Sequence, residues 1–139
     1  MAFEERRDLL VACYNHLEYD PVRAPGMYSD GNNTQTEDIA NLGGFLTVLD
    51  AYKARLESEG YTGEVYKAQL RKFFESYGSI WRVQYSNTKL ATFPKQDTHS
   101  HARLRVNGVV MNSDLWYELY YVDRNNVLYL PPERRSYIW

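Results

Sequence analysis

The chain has 139 residues, of which 44% are apolar and 24% are charged, and its formal net charge at pH 7 is −2. These values are ordinary for one globular domain with a single core, and the near balance of charge excludes the basic surface expected of a nucleic-acid-binding protein. Cys13 is the only cysteine, so no disulfide forms within the chain, and no apolar run is long enough to span a bilayer.

Two long helices are predicted in the first half, where apolar residues recur three and four positions apart. The first covers residues 3–17, and a loop rich in proline, glycine and asparagine follows over residues 18–33. The second begins between residues 34 and 36 and continues to about residue 59, with Gly60 as its stop signal. Gly43 and Gly44 lie inside it at a cost of roughly 1 kcal/mol each relative to alanine, so we expect another backbone to approach closely there.

A third helix is predicted over residues 63–85, with Thr62 as its capping residue. Residues 86–96 are predicted to form a loop, because Pro94 is a strong helix breaker. Residues 103–110 alternate enough between apolar and polar side chains to indicate a short strand.

A fourth helix is predicted to begin after Asn112 or Ser113, either of which can cap it, and to continue through Tyr120. Asn125 and Asn126 indicate a turn, and the prolines at 131 and 132 indicate a last short turn.

The beginning of the second helix carries a possible metal ligand. Residues 34–44 read TQTEDIANLGG, and Thr34-x-x-Glu37 has the spacing of a capping box, in which Glu37 reaches back to the Thr34 amide. Residues four apart share a helix face, so Glu37 and Asn41 project together. A metal-ligating carboxylate beside a supporting hydrogen-bond acceptor has the same spacing, and Thr36 is then available as the cap.

A second polar cluster occupies residues 97–108, which read DTHSHARLRVNG. An imidazole that donates a hydrogen bond can stabilise a developing oxyanion, and a guanidinium fork can hold a peptide carbonyl. In an extended segment His99 and His101 would point the same way as a metal pair, but no third ligand is placed beside them. His101 and Arg103 are otherwise interpreted as solvated or as local structure, and His16 as structural or exposed.

Together with the final run PPERRSYIW, these segments resemble the C-terminal part of the catalytic domain in the neprilysin and endothelin-converting-enzyme family of zinc metallopeptidases. The bacterial branch is the more similar one, and the blocks FEER, DAYK and FFESYGSIW add to the resemblance. It implies a mainly α fold, namely the helical C-terminal portion of a thermolysin-like zincin catalytic domain with at most a short strand or two. Residues 1–139 are then a single domain fragment.

The resemblance also assigns roles. It implies that Glu37 is the third zinc ligand and that Asn41, where the family has aspartate, supports a zinc-bound imidazole with a neutral side chain. It implies that His99, oriented by Asp97, stabilises the tetrahedral intermediate, and that Arg105 binds a backbone carbonyl of the peptide substrate. One further departure, an aspartate at position 38 in place of the usual asparagine, puts a second carboxylate beside the first.

The His-Glu-x-x-His signature of such enzymes, which supplies two zinc ligands and the general base, does not occur in this sequence. The 36 residues before Glu37 are fewer than the family's spacing requires, so we expect a piece cut downstream of the signature, with Trp139 as the parent's natural end. One carboxylate cannot hold catalytic zinc, so the isolated chain is expected to be inactive.

Several further expectations follow. The partners expected are a peptide substrate and the upstream part of the same peptidase, and the parent is expected to be exported, as a periplasmic, lipid-anchored or secreted protein. A severed half-domain exposes apolar surface, which predicts self-association of the chain. The alternative is a non-catalytic pseudo-peptidase domain that binds peptides or a partner chain, which the missing signature and Asn41 favour.

Overall fold

A computed structural model of the chain is mainly helical, as predicted from the sequence. It describes residues 2–138, apart from the side chains of residues 91 and 93–96, so that the terminal Trp139 of the family resemblance lies outside the described residues. The helices and strands are, in order, α1 (Phe3–Asn15), β1 (Glu18–Asp20), β2 (Ala24–Tyr28), α2 (Gly31–Ser58), α3 (Gly63–Ile80), α4 (Asn87–Gln96), α5 (Ala102–Val110), α6 (Asp114–Tyr120) and a 3₁₀ turn (Pro132–Arg134).

The core lies where α1, α2 and α5 pack together, with α3 and α6 against each other beside it. The side chains buried at its centre come from four helices and include Tyr14, Leu42, Leu70, Leu104 and Val109. No helix in the described part of the chain is both long and apolar enough to cross a membrane.

The long helix α2 begins three residues before the predicted range. The Asp30 side chain caps it by accepting hydrogen bonds from the amides of Asn32 and Asn33 at 3.1 and 3.2 Å. Neither the alternative of a capping box at Thr34 and Glu37 nor a cap at Thr36 occurs, because all three residues already lie inside the helix. The predicted stop is confirmed, since Gly60 follows the helix with a φ of +78°.

Close approaches occur at Gly31 and Gly108, which lie outside the predicted pair. No atom lies within 4 Å of the position that a Cβ would take on Gly44. At Gly31, by contrast, that position is 2.6 Å from the carbonyl oxygen of Val11, and at Gly108 it is 2.6 Å from atoms of the Tyr14 side chain. These two contacts let α2 and α5 approach α1.

The prediction of a loop over residues 86–96 is wrong, because α4 occupies residues 87–96 and includes Pro94. The Ser86 hydroxyl caps this helix by accepting from the Lys89 amide at 3.2 Å, and Leu90 anchors it as a buried side chain.

The prediction of a strand over residues 103–110 is also wrong, since this segment is the helix α5. The buried residues of this helix include Leu104, Gly108 and Val109, which are spaced four and one positions apart and so share one helix face. Burial of that face outweighs the weak alternation of apolar and polar residues in the sequence. The strands lie instead in the predicted first loop, where β1 and β2 pair antiparallel.

Two helix ends also differ from the sequence predictions. Helix α3 ends at Ile80 rather than near residue 85, and neither Thr62 nor Ser113 makes a side-chain capping bond, although each occupies the capping position before α3 or α6. Asn112 is buried inside the fold rather than used as a cap.

The C-terminal run is tied back onto the rest of the fold. The Ser136 amide donates to Oδ1 of Asn112 at 2.7 Å, and the Ser136 hydroxyl donates to the backbone carbonyl of Arg6 in α1, also at 2.7 Å. Nearby, Arg135 is buried and donates to the Asp114 carboxylate at 2.5 Å.

Candidate active site

The loop between α4 and α5 brings an imidazole between two carboxylates. Nε2 of His99 lies 3.3 Å from Oε2 of Glu37 in α2, and Nδ1 of His99 lies 2.9 Å from Oδ1 of Asp97. The three side chains are between 34% and 47% exposed, so this cluster is open to solvent. The fold therefore brings together three residues that are up to 62 positions apart in sequence.

Asp97 fixes both the backbone and the ring of His99. Its Oδ1 accepts the His99 amide at 2.9 Å as well as contacting Nδ1. The backbone N–H of His99, and after it the ring, hold the pKa of the Asp97 carboxyl below its usual value. A charged Asp97 therefore selects the tautomer of His99 that carries a proton on Nδ1.

Arg105 lies beside Asn41, one turn along α2 from Glu37. Its Nη2 donates to Oδ1 of Asn41 at 2.8 Å, and its guanidinium carbon lies 4.1 Å from the centre of the Trp81 ring. The Tyr77 hydroxyl donates to the Arg105 backbone carbonyl at 2.9 Å, which fixes this turn of α5 against α3. The side chain expected to support a zinc-bound imidazole is thus engaged with Arg105.

These groups border one cavity of about 450 Å³. Its polar wall is formed by Asp97, His99, Ser100 and Arg105. The apolar wall comes from the end of α3, the connection after it and the start of α5, through Ile80, Trp81, Val83, Tyr85 and Ala102. A cleft that combines a few convergent polar groups with apolar walls is typical of a site for an organic ligand.

His101 does not share the surroundings of His99. It is buried, its Nδ1 accepts the Arg103 amide at 3.3 Å, and its ring packs against Tyr19 and Tyr85 with centroids 5.9 and 4.3 Å apart. Burial lowers its pKa, which favours the neutral ring that this cap requires. The hypothesis of a His99–His101 metal pair fails because the segment is a helix start rather than an extended strand. The exposed His16 contacts the Ala12 carbonyl at 2.7 Å.

Sequence reasoning noted Asp38 only as an extra carboxylate and missed its role as a buried acceptor. Asp38 is 1% exposed, and its Oδ2 accepts from the hydroxyls of Thr34 at 2.7 Å and Ser100 at 3.0 Å. Burial raises its pKa to about 6 against the opposing effect of these hydroxyls. The sequence showed that position 38 is unusual, because an aspartate stands there in place of asparagine. It could not show the contact with Ser100, which is 62 residues away along the chain.

Asp97, His99 and Arg105, to which the family resemblance assigns roles in catalysis and substrate binding, thus border one cleft of a helical fold. The sequence profile of peptidase family M13 matches residues 1–136, and the chain belongs to this family. The predicted resemblance to neprilysin-type zinc metallopeptidases is thereby confirmed, as is membership in a family of peptide hydrolases.

Individual relatives agree with this assignment. The chain is 28% identical over 138 residues to the neutral endopeptidase of Lactococcus lactis subsp. lactis, and 26% identical over 140 residues to neprilysin of Homo sapiens. The crystal structure of the zinc metalloprotease Zmp1 of Mycobacterium tuberculosis in complex with an inhibitor superposes with a TM-score of 0.77 at 30% identity. These comparisons cover 96 to 99% of this chain but only 18 to 21% of each relative, so the chain spans about a fifth of their length.

The residues present do not by themselves fit a catalytic zinc ion. Such a site takes about three protein ligands and a water, whereas the described residues contain no group of three or more His, Cys, Asp or Glu side chains placed to hold a metal. Glu37 is the one side chain to which the family resemblance gives a ligand role. A zinc ion held at Glu37 would therefore need further ligands that the described residues do not supply.

Proposed function

We propose that this chain is the C-terminal part of the catalytic domain of a zinc metalloendopeptidase that hydrolyses oligopeptides, and that Glu37 is one of the zinc ligands. The observation that carries the proposal is the contact of 3.3 Å between Glu37 and His99 in a chain of family M13. A zinc ion bound at Glu37 and at ligands from the upstream part would activate a water and polarise the substrate carbonyl.

His99 is the proposed stabiliser of the tetrahedral intermediate. Asp97 accepts the Nδ1 proton across 2.9 Å, so the ring is held in one orientation with Nε2 turned toward Glu37. With a proton on Nε2 as well, the ring would donate a hydrogen bond to the oxyanion that develops at the carbonyl oxygen of the substrate. Asp97 stays ionised because two N–H groups of His99 stabilise its charge.

Arg105 is the proposed ligand of a substrate backbone carbonyl. Asn41 occupies one donor of the guanidinium, and the Trp81 ring covers its face, so the fork is fixed in direction and keeps further N–H groups for a carbonyl. The adjoining apolar wall of the cavity, formed in part by Trp81 and Ile80, suits a large apolar side chain of the peptide.

The upstream part of the same peptidase is the proposed partner of this chain, and the isolated chain is proposed to be inactive. A reconstitution experiment tests both statements with a quenched fluorogenic oligopeptide. The chain alone should release no product, whereas the chain mixed with the upstream segment should hydrolyse the peptide in a zinc-dependent reaction. Glu37→Gln should abolish that activity, and Glu75→Gln, a matched change of an exposed glutamate on α3, should preserve it.

The same assay separates the alternative reading, a non-catalytic domain that binds peptides. Asn41 favours that alternative, because a neutral amide is a weaker acceptor than the aspartate usual in the family. If the full-length natural protein binds the fluorogenic peptide but releases no product at saturating zinc, the peptidase proposal is overturned and the binding domain takes its place.

We also propose that the parent protein is exported, as the resemblance to the bacterial branch implies. Fractionation of source cells with an antibody raised against this chain tests the proposal. Recovery of the parent with the periplasmic, membrane or culture-medium fraction supports export, and recovery in the cytoplasmic fraction alone overturns it.

A further inference from the structure

The loop that carries His99 is fastened to the first turns of α2 at three neighbouring places. The contacts join Asn33 Nδ2 to the Asp97 carbonyl at 3.0 Å, Glu37 Oε2 to His99 Nε2 at 3.3 Å, and Ser100 Oγ to Asp38 Oδ2 at 3.0 Å. All three lie within two turns of one helix, so the loop runs along α2 rather than away from it.

Only the third of these contacts is buried. Asp38 is 1% exposed and Ser100 is 2% exposed, whereas the Glu37 and His99 side chains are 37% and 47% exposed. Exposed ion pairs contribute little because water competes for both partners. A hydrogen bond to a carboxylate that is removed from water is stronger, and losing it leaves a buried acceptor without that donor.

Asp38 and Ser100 lie directly next to the two residues whose distance matters. Asp38 follows Glu37 in α2, and Ser100 follows His99 in the loop. The hydrogen bond between Asp38 and Ser100 therefore limits the distance between Glu37 and His99. Thr34 donates to the same Oδ2 at 2.7 Å but belongs to α2, so it contributes nothing to holding the loop.

We infer that Asp38 and Ser100 form a positioning pair that holds the His99 loop on α2 and thereby keeps His99 beside Glu37. The inference rests on the proposed function for its catalytic consequence, but the structural part stands on the buried contact alone. Ser100 borders the cavity, but its hydroxyl donates to the buried Asp38 carboxylate, so both residues act through His99 rather than on the substrate.

The test compares Ser100→Ala with Thr34→Val in the full-length natural protein. Each change removes one hydroxyl donor to Asp38, but only the first releases the loop. Hydrogen exchange followed by mass spectrometry should show the peptide over residues 97–101 exchanging at least about tenfold faster in Ser100→Ala and within about twofold of wild type in Thr34→Val. Equal acceleration in both variants, or none in Ser100→Ala, overturns the inference.

Kinetics provide the readout that a merely structural role would not produce. Ser100→Ala should lower kcat roughly 10- to 100-fold with KM within about threefold, because His99 is displaced while the peptide still binds. Asp38→Ala should behave likewise, and the conservative Asp38→Asn, which keeps an acceptor for Ser100, should recover to within about threefold of wild type. A fall in kcat that is as large in Thr34→Val as in Ser100→Ala contradicts the positioning role.

The two proposals fail separately in this design. A wild-type protein without peptidase activity overturns the proposed function, while the exchange of residues 97–101 still decides whether the pair holds the loop. If Asp38→Ala does not fold, Ser100→Ala and Asp38→Asn carry the comparison, with thermal unfolding as the check that each variant is native.

Discussion

The Arg105 guanidinium donates a hydrogen bond to the Asn41 side-chain carbonyl across 2.8 Å, at a position where the family resemblance calls for an aspartate. An aspartate would turn this contact into an ion pair and would offer its second oxygen to a neighbouring donor. Asn41 instead presents Nδ2, which is buried and accepts nothing, and no hydrogen-bond partner for it occurs among the described residues.

Asn41→Asp is therefore predicted to strengthen zinc binding by the full-length protein. The new carboxylate accepts from a zinc-bound imidazole, and such supporting contacts change metal affinity by roughly 10- to 100-fold. Competition with a chelator of known affinity measures the change. Asn32→Asp, an exposed position in the first turn of α2, adds the same charge as a control and should leave the zinc affinity within about twofold. An unchanged affinity in Asn41→Asp would show that residue 41 does not reach the metal ligands.

The buried Asp38 predicts an unusual dependence of stability on pH. Its pKa is about 6 in the fold and 3.8 in an unfolded chain, so the fold prefers the protonated form. Its contribution to stability is fully present below pH 3.8 and is lost as the pH rises to about 6. At 1.36 kcal/mol per pKa unit the loss is roughly 3 kcal/mol. Urea unfolding of the chain in a chelating buffer should show this loss in wild type relative to Asp38→Asn, and parallel pH profiles would contradict it.

Two helical glycines should respond in opposite directions to alanine. A Cβ on Gly108 would lie 2.6 Å from atoms of the buried Tyr14 side chain, and overpacking of this kind costs about 1–3 kcal/mol. Gly44 has open space around it, so alanine there should stabilise the helix by about 0.5–1 kcal/mol. Denaturant midpoints of the two variants measure the difference. A Gly108→Ala protein as stable as wild type would mean that Tyr14 can move aside.

Self-association of the isolated chain is predicted from an apolar groove between α2 and α3. Its walls include Phe45, Phe73 and Tyr77, and it is flanked by Val48 and Ile80, which are 57% and 72% exposed. Sedimentation equilibrium should show dimers or larger species at micromolar concentrations, and Val48→Lys should weaken association at least about tenfold by burying a charge. Val127→Lys, at a position that is 97% exposed outside the groove, should leave association unchanged. A monomer at all concentrations tested would refute the prediction.

The sequence predicted those parts of the fold whose signals are local and repeated. Apolar spacing located α1, α2 and most of α3, and the glycine at position 60 marked the end of α2 correctly. Helices α4 and α5 were both missed, the first predicted as a loop and the second as a strand. The cap of α5 is His101, an uncommon capping residue, so the start of that helix carries no clear sequence signal. The proline at 94 was given too much weight as a helix breaker, since the helix continues through it.

For the candidate site, the sequence likewise indicated some of the residues but not the contacts between them. The family resemblance singled out Glu37, His99 and Arg105, and the fold lines them up along α2 and the adjoining cleft. Residue spacing could not show that His101 is buried while His99 is exposed. That difference arises because His101 is the capping residue of α5, which packs on the core, whereas His99 lies in the loop before it. Nor could it pair Asp38 with Ser100, since contacts between distant segments have no local pattern.

Ser136 is hydrogen-bonded to both Arg6 and Asn112, so the last residues act as a clasp that joins the two ends of the sequence. Loosening that clasp frees α1, and α1 carries Val11 and Tyr14, against which Gly31 and Gly108 are packed. Loss of the contacts made by Ser136 would therefore loosen the packing at the start of α2, about two turns before Glu37. The C-terminal run therefore supports the cleft from a distance, and we expect a fusion partner attached there without a spacer to disturb the packing of α1 against α2.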